Sequence, residues 1–403
     1  MSRAPTRRLV LAIGHAGAGF GFGRVLSGIL ANLPLRFEVQ QFELSTHSTG
    51  RPGWVVHGNE TPGDYFGLQQ LGSLIPRLDP DIVFIVHELW CATDYLALVR
   101  RCSKARVVAY CPIDGSLRRH PYLLHLGGLD GLALYSKTAK DAFLRGIEEV
   151  AGTEAAPAHI PPISIIPHGI DQRRFFPIAP ALSSAEMRRE ARRRLRLPVP
   201  DSSDAFIFLN ANRNQPRKAV ELTVEAFGRF AFGKPPGVRL YLHMGVPDQG
   251  VDVIALADRH GVSDRLLFTD RGRSHPRRDD SELNLIFNAC QVGVNTSYGE
   301  GWGLVAFEHG ATGAAQIVPD HSACAELWRD HGVLATTDYP VQQELIVGRR
   351  VRVDAVAAAM ERLYSDLGFL EERSQRATEN AERQLSWCEV GTRFASLFDS
   401  LLG

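Results

Sequence analysis

Short apolar runs recur along this chain at spacings that leave room for one helix between them. RLVLAIG (8–14), DIVFIV (81–86), RVVAY (106–110), LALYS (132–136) and ISIIP (163–167) form a first series. Runs of this length without polar alternation suit strands covered on both faces. Helix-like segments such as GRVLSGILANL (23–33) and KTAKDAFLRGI (137–147) lie between them. That alternation predicts a doubly wound parallel sheet. The pattern restarts at AFIFLNA (205–211) and continues through VRLYLHM (238–244), LLFTD (266–270), VGVNT (292–296) and AAQIVP (314–319). KAVELTVEAFGRF (218–230) and DSELNLIFNAC (280–290) read as its helices. At 403 residues the chain exceeds one ordinary core. The expected fold class is therefore α/β, with two Rossmann-like domains of similar size. Their boundary falls near 170–200, where PHGIDQRRFFP (167–177) is rich in turn residues.

Composition excludes several function classes. Lys plus Arg number 45 and Asp plus Glu 45, so no global charge points to a nucleic acid. The six cysteines form no CxxC pair, which argues against a zinc ribbon or a disulfide framework. The apolar runs are strand-sized, far short of a membrane span. Basic residues precede an apolar stretch at the start of the chain, but glycines interrupt it too early for a signal sequence. The expected location is the cytosol, with peripheral membrane contact open but not favoured. AEMRREARRRLRLP (185–198) carries six arginines and could be a membrane or nucleic-acid patch. Without interleaved aromatic residues, a solvated surface helix touching the body through Leu195 and Leu197 is the better reading.

Three stretches could carry chemistry. GHAGAGFGFGR (14–24) follows the first strand and opens a helix, so its glycines could bring backbone amides to a ligand. Its spacing does not match GxGxxG, which disfavours a nicotinamide enzyme. NANRNQPRKAVELTVEAF (210–227) runs from a strand end into an amphipathic helix and clusters Arg213, Arg217 and Lys218. Cations at a strand end and helix start suit a diphosphate, although pairing with acids such as Glu221 would suit a surface turn equally. NTSYGEGWGLVAFEHG (295–310) holds Glu300 and Glu308 with seven residues between them. Glu300 falls in a glycine turn open to a ligand, and Glu308 lies one to two turns into a helix with Leu304 and Phe307 inward. Carboxylates only accept hydrogen bonds, and they suit the hydroxyls of a sugar or ribose.

EGWGLVAFE resembles the EX7E signature of retaining glycosyltransferases with the GT-B fold, especially glycosyltransferase family 4. NRNQPRKAVELTVEAF resembles that family's Arg-and-Lys phosphate segment, and IIPHGIDQRRFFP its interdomain segment. LSWCEVGTRFASLF (385–398) resembles its closing helix, which crosses back toward the first domain. The resemblance implies GT-B architecture, with two Rossmann-like domains facing a cleft. An acceptor-side domain would span 1–175, a donor domain 176–384, and a closing helix 385–403.

Carried onto this sequence, the resemblance makes Arg213 and Lys218 the holders of the donor diphosphate. Gly301, Trp302, Gly303 and Leu304 would present backbone amides, Glu308 would bind the ribose, and Glu300 the transferred sugar. Gly17 and Gly19 would approach the phosphates from the other domain, and the loop at Arg271–His275 would edge the nucleobase. After VVAY the family commonly places a His against the donor sugar. This chain has CPIDG there, with Pro112 near that place, so Asp114, His87 or His15, on the acceptor side, could take over that role, with Asp114 a catalytic candidate beside Arg213, Lys218 and Glu300.

The implied activity is metal-independent transfer of a sugar from a UDP-, GDP- or ADP-sugar, with retention of configuration and no cofactor. The acceptor could be a glycan, a lipid-linked sugar, a small molecule or a protein; nucleic acid is not expected. A sugar-nucleotide epimerase and a non-catalytic sugar-nucleotide or glycan-binding protein are the alternatives. Trp54, His57, Trp90 and the segment 114–124 could line the acceptor side.

Overall fold

The computed structural model describes residues 7–15, 21–44, 53–199, 205–272 and 274–403. The chain divides into two compact units, Met1–Gly169 with Leu385–Gly403, and Ile170–Gln384. The first contains β1 (Arg8–Gly14), α1 (Gly21–Leu30), β2 (Phe37–Glu43), β3 (Val55–Gly58), α2 (Leu68–Leu78), β4 (Ile82–Val86), α3 (Leu89–Cys102), β5 (Arg106–Cys111), the two-residue β6 (Ser116–Leu117), β7 (Gly131–Leu134), α4 (Lys137–Ala151) and β8 (Ile163–Ile165). Among the described residues its sheet has seven strands in the order β3-β2-β1-β4-β5-β7-β8. Every pairing is parallel, as between Val10 and Ile82 on β1 and β4. Strand β4 reads IVFIV and is buried throughout, as expected for a strand covered on both faces.

The second unit runs through α5 (Ser184–Arg194), β9 (Phe206–Asn210), α6 (Val220–Ala231), β10 (Val238–Leu242), α7 (Val253–Arg259), β11 (Leu266–Phe268), α8 (Asp280–Ala289), β12 (Val292–Val294), α9 (Leu304–Gly310), β13 (Ala315–Pro319), α10 (Ser322–Trp328), β14 (Val333–Ala335), β15 (Thr337–Gln342), β16 (Ile346–Val351), α11 (Val353–Ser365) and α12 (Leu367–Glu382). A parallel sheet in the order β11-β10-β9-β12-β13-β14 forms its centre. Phe208, Phe227, Phe230 and Leu240 belong to the apolar core between sheet and helices. Asp279 caps α8, its side chain accepting from the Glu282 amide where the helix dipole favours an anion.

The last helix, α13 (Trp387–Leu402), belongs to the first unit. Ser386 and Glu389 form a capping box at its start. Phe394 and Phe398 pack on Phe84 of β4 with ring centroids 5.0 and 5.3 Å apart. Trp387 covers Gly28 so closely that a Cβ there would lie 2.5 Å from the indole, which requires glycine on α1. No helix of the described residues is long and apolar enough to cross a membrane.

Several elements depart from the sequence reading. Strand β2 reads FEVQQFE and has no apolar run, yet Gln41 and Glu43 on it are fully buried. Gln41 is satisfied there, donating to the Gly14 carbonyl and accepting from the Trp54 indole. The β15–β16 hairpin, antiparallel and carrying Pro340, was likewise absent from the expected strands.

The arginine-rich segment is a helix, but Leu195 and Leu197 are not its main contacts. Met187, Arg188, Ala191 and Arg192 form its buried face. Arg188 donates to the carbonyls of Cys290 and Gly313. Arg192 donates to the carbonyls of Ala289 and Ala205 and to the Gln291 side chain, at 2.7–2.9 Å. Burial pulls both guanidinium groups down to about 10, so they stay charged at neutral pH. These side chains supply donors to carbonyls at element ends inside the protein, where an unpaired carbonyl is costly. Arg192→Met should therefore destabilise the protein by about 3 kcal/mol or more, read as a lower urea midpoint. Arg193→Met, on the exposed side of the same helix, should change it little.

Candidate functional site

Strand order reverses between β9 and β12, and in an open α/β sheet ligands bind beyond the carboxyl ends of such a pair. There β9 leads into Arg213–Lys218, and β12 leads into Asn295–Glu300. Glu300 is only 5% exposed. It is not at an open mouth, as the glycine turn had suggested, but closed in by its partners. Lys218 Nζ bonds Glu300 Oε1, which also accepts from Ser297 Oγ at 2.9 Å and Asn295 Nδ2 at 3.2 Å. Arg217 lies 3.6 Å from the other carboxylate oxygen and donates to the Gly299 carbonyl. Burial would push the Glu300 carboxyl up, but the Lys218 and Arg217 charges with the Lys218 and Ser297 hydrogen bonds hold it at about 2. It is ionised at any physiological pH.

The scaffold under this knot is polar and fully buried. Asn210 at the end of β9 donates to Thr223 on α6, and Thr223 bonds Thr296 beyond β12. Thr296 in turn donates to the Ala219 carbonyl. One helical turn, Pro216–Lys218, precedes α6, so the helix expected from Lys218 starts two residues later. Between them Ala219 adopts φ 46°, a left-handed conformation costly to a side chain. Ser322, at φ 49°, accepts from the Glu300 amide. Non-glycine residues held in this region on both sides of one carboxylate are the kind of strain found at functional sites.

Arg213 is gripped by Asp248 through a fork, with Nε and Nη2 each 3.1 Å from a carboxylate oxygen. Among the described residues none of the three cations pairs with Glu221, which instead accepts from the Tyr298 hydroxyl. Downstream, Gly303 has φ 91° and leads into α9. Leu304 is half-buried while Phe307 is fully buried. Trp302 is buried and stacks on Phe307 with centroids 5.4 Å apart. Gly301 is buried too, and Glu308 on α9 is 5% exposed. Arg271 is exposed, its guanidinium 5.2 Å from the Phe268 ring. Nearby His275 packs edge-on against His243.

In the first unit the order reverses between β1 and β4. His15 follows β1 and His87 follows β4, with rings 5.7 Å apart. Glu43, at the end of β2, lies 3.9 Å from His15. Phe22 stacks on His87, and Phe66 meets both His87 and Trp90 edge-on. Burial and the neighbouring His15 pull His87 down to about 4, so it is neutral. Asp114 lies half-buried beyond β5. Trp54 and His57 are engaged by Gln41 and Gln40 of β2. Gly17 and Gly19 lie outside the described residues.

Residue patterns had pointed to Arg213, Lys218 and Glu300 but not to Asp248, Asn295 or Ser297. Asn295 and Ser297 stand just ahead of the glycine turn, and only the turn's closure brings them onto Glu300.

Residues 204–366 match the family model described as glycosyl transferases group 1. The second unit thus carries the resemblance. The D-inositol 3-phosphate glycosyltransferases of Mycobacterium bovis and Mycobacterium tuberculosis are 31% identical over 158 residues. That alignment covers 37% of this chain and 30% of theirs, so the chain spans less than a third of the curated relatives it matches. Similarity of fold extends much further. HepE of Anabaena, solved with UDP and glucose, has a TM-score of 0.69 at 15% identity, covering 97% of this chain and 99% of that one. Sucrose-phosphate synthase of Thermosynechococcus elongatus reaches 0.71 at 18% identity, covering 98% and 99%. The fold is that of the GT-B glycosyltransferases, α/β with two Rossmann-like parts.

Proposed function

We propose that this chain transfers a sugar from a nucleotide-activated donor to an acceptor hydroxyl, without a metal ion and with retention of anomeric configuration. The observation that carries this reading is Glu300, buried and bound by Lys218 and Arg217 where the strand order reverses. It lies in the segment that matches group 1. Arg213 and Lys218 would hold the donor diphosphate, each oriented by the acid that grips it. Glu308 would take the ribose hydroxyls, and the amides of Gly301–Leu304 would approach phosphate and sugar. Arg271 would edge the base, while His15, His87 and Asp114 would serve the acceptor side.

The protonation state of Glu300 limits its role. A carboxyl held at about 2 has no proton to give at neutral pH and is a weak base. It can accept from sugar hydroxyls and keep Lys218 in place. The reaction then rests on stabilising the departing diphosphate with fixed cations. As the bond from the anomeric carbon to the phosphate oxygen breaks, that oxygen takes the proton of the acceptor hydroxyl. The acceptor attacks from the face the phosphate leaves, which yields retention without a side-chain base.

The HepE complexes make UDP-sugars the first donors to test. The assay incubates the protein with UDP-, GDP- and ADP-sugars, an acceptor panel and excess chelator, and reads the first-formed product by proton NMR. Sugar transfer with the donor's anomeric coupling is expected. An inverted product would overturn the mechanism, and a strict metal requirement would remove Arg213 and Lys218 from the diphosphate.

Glu308→Ala should weaken binding of the bare nucleotide about 10–100-fold, since a charged acceptor contributes about 1.5–3 kcal/mol per hydrogen bond. Unchanged affinity by calorimetry would take Glu308 out of the ribose site.

A further inference from the structure

A second charged feature of this unit lies in residues that the proposed transfer does not use. Arg329, Asp330 and His331, in the loop after α10, face Arg373 and Arg376 of α12 and Arg383 at its end across an open recess of about 600 Å³. Four guanidinium groups and an imidazole thus converge on one recess whose lining holds a single acid. Other acids lie around the rim. Glu372 is 2.7 Å from Arg373, and Asp320 is 3.2 Å from Arg329. Glu379 reaches Arg376 and Arg383 only at 3.9 and 4.0 Å.

One of the lining residues holds a buried N–H without a hydrogen-bond partner among the described residues, Arg373 Nε. Buried N–H groups left unpaired are uncommon in folded proteins, and an unseen ion or ligand is one standard reason for them. The walls are also fixed independently of any ligand. Asn380 of α12 donates to the Leu327 carbonyl, Thr378 donates to Gly310 of α9, and Trp328 packs on Phe307. The arginines are therefore presented on a rigid helix, and their planar forks match the geometry of phosphate oxygens.

We propose that this recess binds a phosphate-bearing ligand, with Arg373, Arg376 and Arg383 as forked donors. Its volume suits a small phosphoester.

The probe is inorganic pyrophosphate, titrated by calorimetry. Four forms of the full chain are compared: unchanged, Arg376→Ala/Arg383→Ala, Arg213→Ala/Lys218→Ala, and all four substitutions together. Arg376 and Arg383 are exposed, so their replacement should leave the fold intact, as judged by circular dichroism and melting without ligand. The Arg213→Ala/Lys218→Ala protein should still bind pyrophosphate, and adding Arg376→Ala/Arg383→Ala should weaken that binding about tenfold or more. If the first of these proteins binds none, or if the two further substitutions change nothing, the proposal is wrong. Phosphatidic acid vesicles, against phosphatidylcholine alone, give the source. Sedimentation that depends on Arg376 and Arg383 would assign the phosphate to a lipid headgroup, and its absence beside pyrophosphate binding would assign it to a soluble phosphoester.

Discussion

Lys218→Ala is expected to lower turnover by about 10²–10³-fold, the scale seen when one group aimed at developing charge is removed. Lys218 is the cation most closely held in the knot, bonded to Glu300 with its side chain 14% exposed. In this reading its charge is fixed before the donor arrives, so no reorganisation accompanies the build-up of negative charge on the leaving diphosphate. Affinity for the bare nucleotide should fall less than turnover, because Glu308 and the backbone amides remain. Steady-state kinetics with the best donor, set against calorimetry with its nucleotide, separate the two. A loss of turnover under tenfold, or one matched by the loss of affinity, would show Lys218 to be a structural partner of Glu300 only. Lys218→Arg serves as the control, since it keeps the charge and loses the point geometry of the ammonium.

Much of this architecture was legible because burial on both faces writes itself into a strand. IVFIV on β4 and FIFLN on β9 have few other folded environments open to them. Strand β2 was not legible, since Gln41 and Glu43 are buried through partners far away in sequence. The arginines of α5 failed for the same reason. Six arginines within 185–198, five of them on α5, read as a solvated face, yet Arg188 and Arg192, four residues apart, turn inward to carbonyls about a hundred positions later. At the candidate site the residue types were visible and their pairing was not. The sequence puts Lys218 and Glu300 each just beyond an expected strand, but only the strand order β9-β12 makes those strand ends neighbours. Asp248 on Arg213 lies deeper still, in a loop with no pattern of its own.

Glu300→Gln tests that pairing through stability rather than turnover. The amide keeps the shape and one acceptor, but it leaves Lys218 and Arg217 without their buried counter-charge. Breaking a buried pair by removing one partner costs about 3–5 kcal/mol, so the urea midpoint at neutral pH should fall substantially. The pH dependence makes the test specific. Folding lowers the Glu300 carboxyl from 4.5 to about 2, so the unfolded chain binds the proton more tightly. Its contribution is fully present above about pH 4.5 and is lost progressively as pH falls from there toward about 2. Once protonated, Glu300 and the glutamine that replaces it are nearly equivalent neighbours for Lys218. The stability gap between the two proteins should therefore stay constant from neutral pH down to about 5 and close by more than half by about pH 3. A gap that does not narrow over that range would mean that Glu300 acts through packing alone. A gap absent at neutral pH would mean that the cations are hydrated or paired elsewhere, and Lys218 would then be released for a diphosphate without any help from this carboxylate.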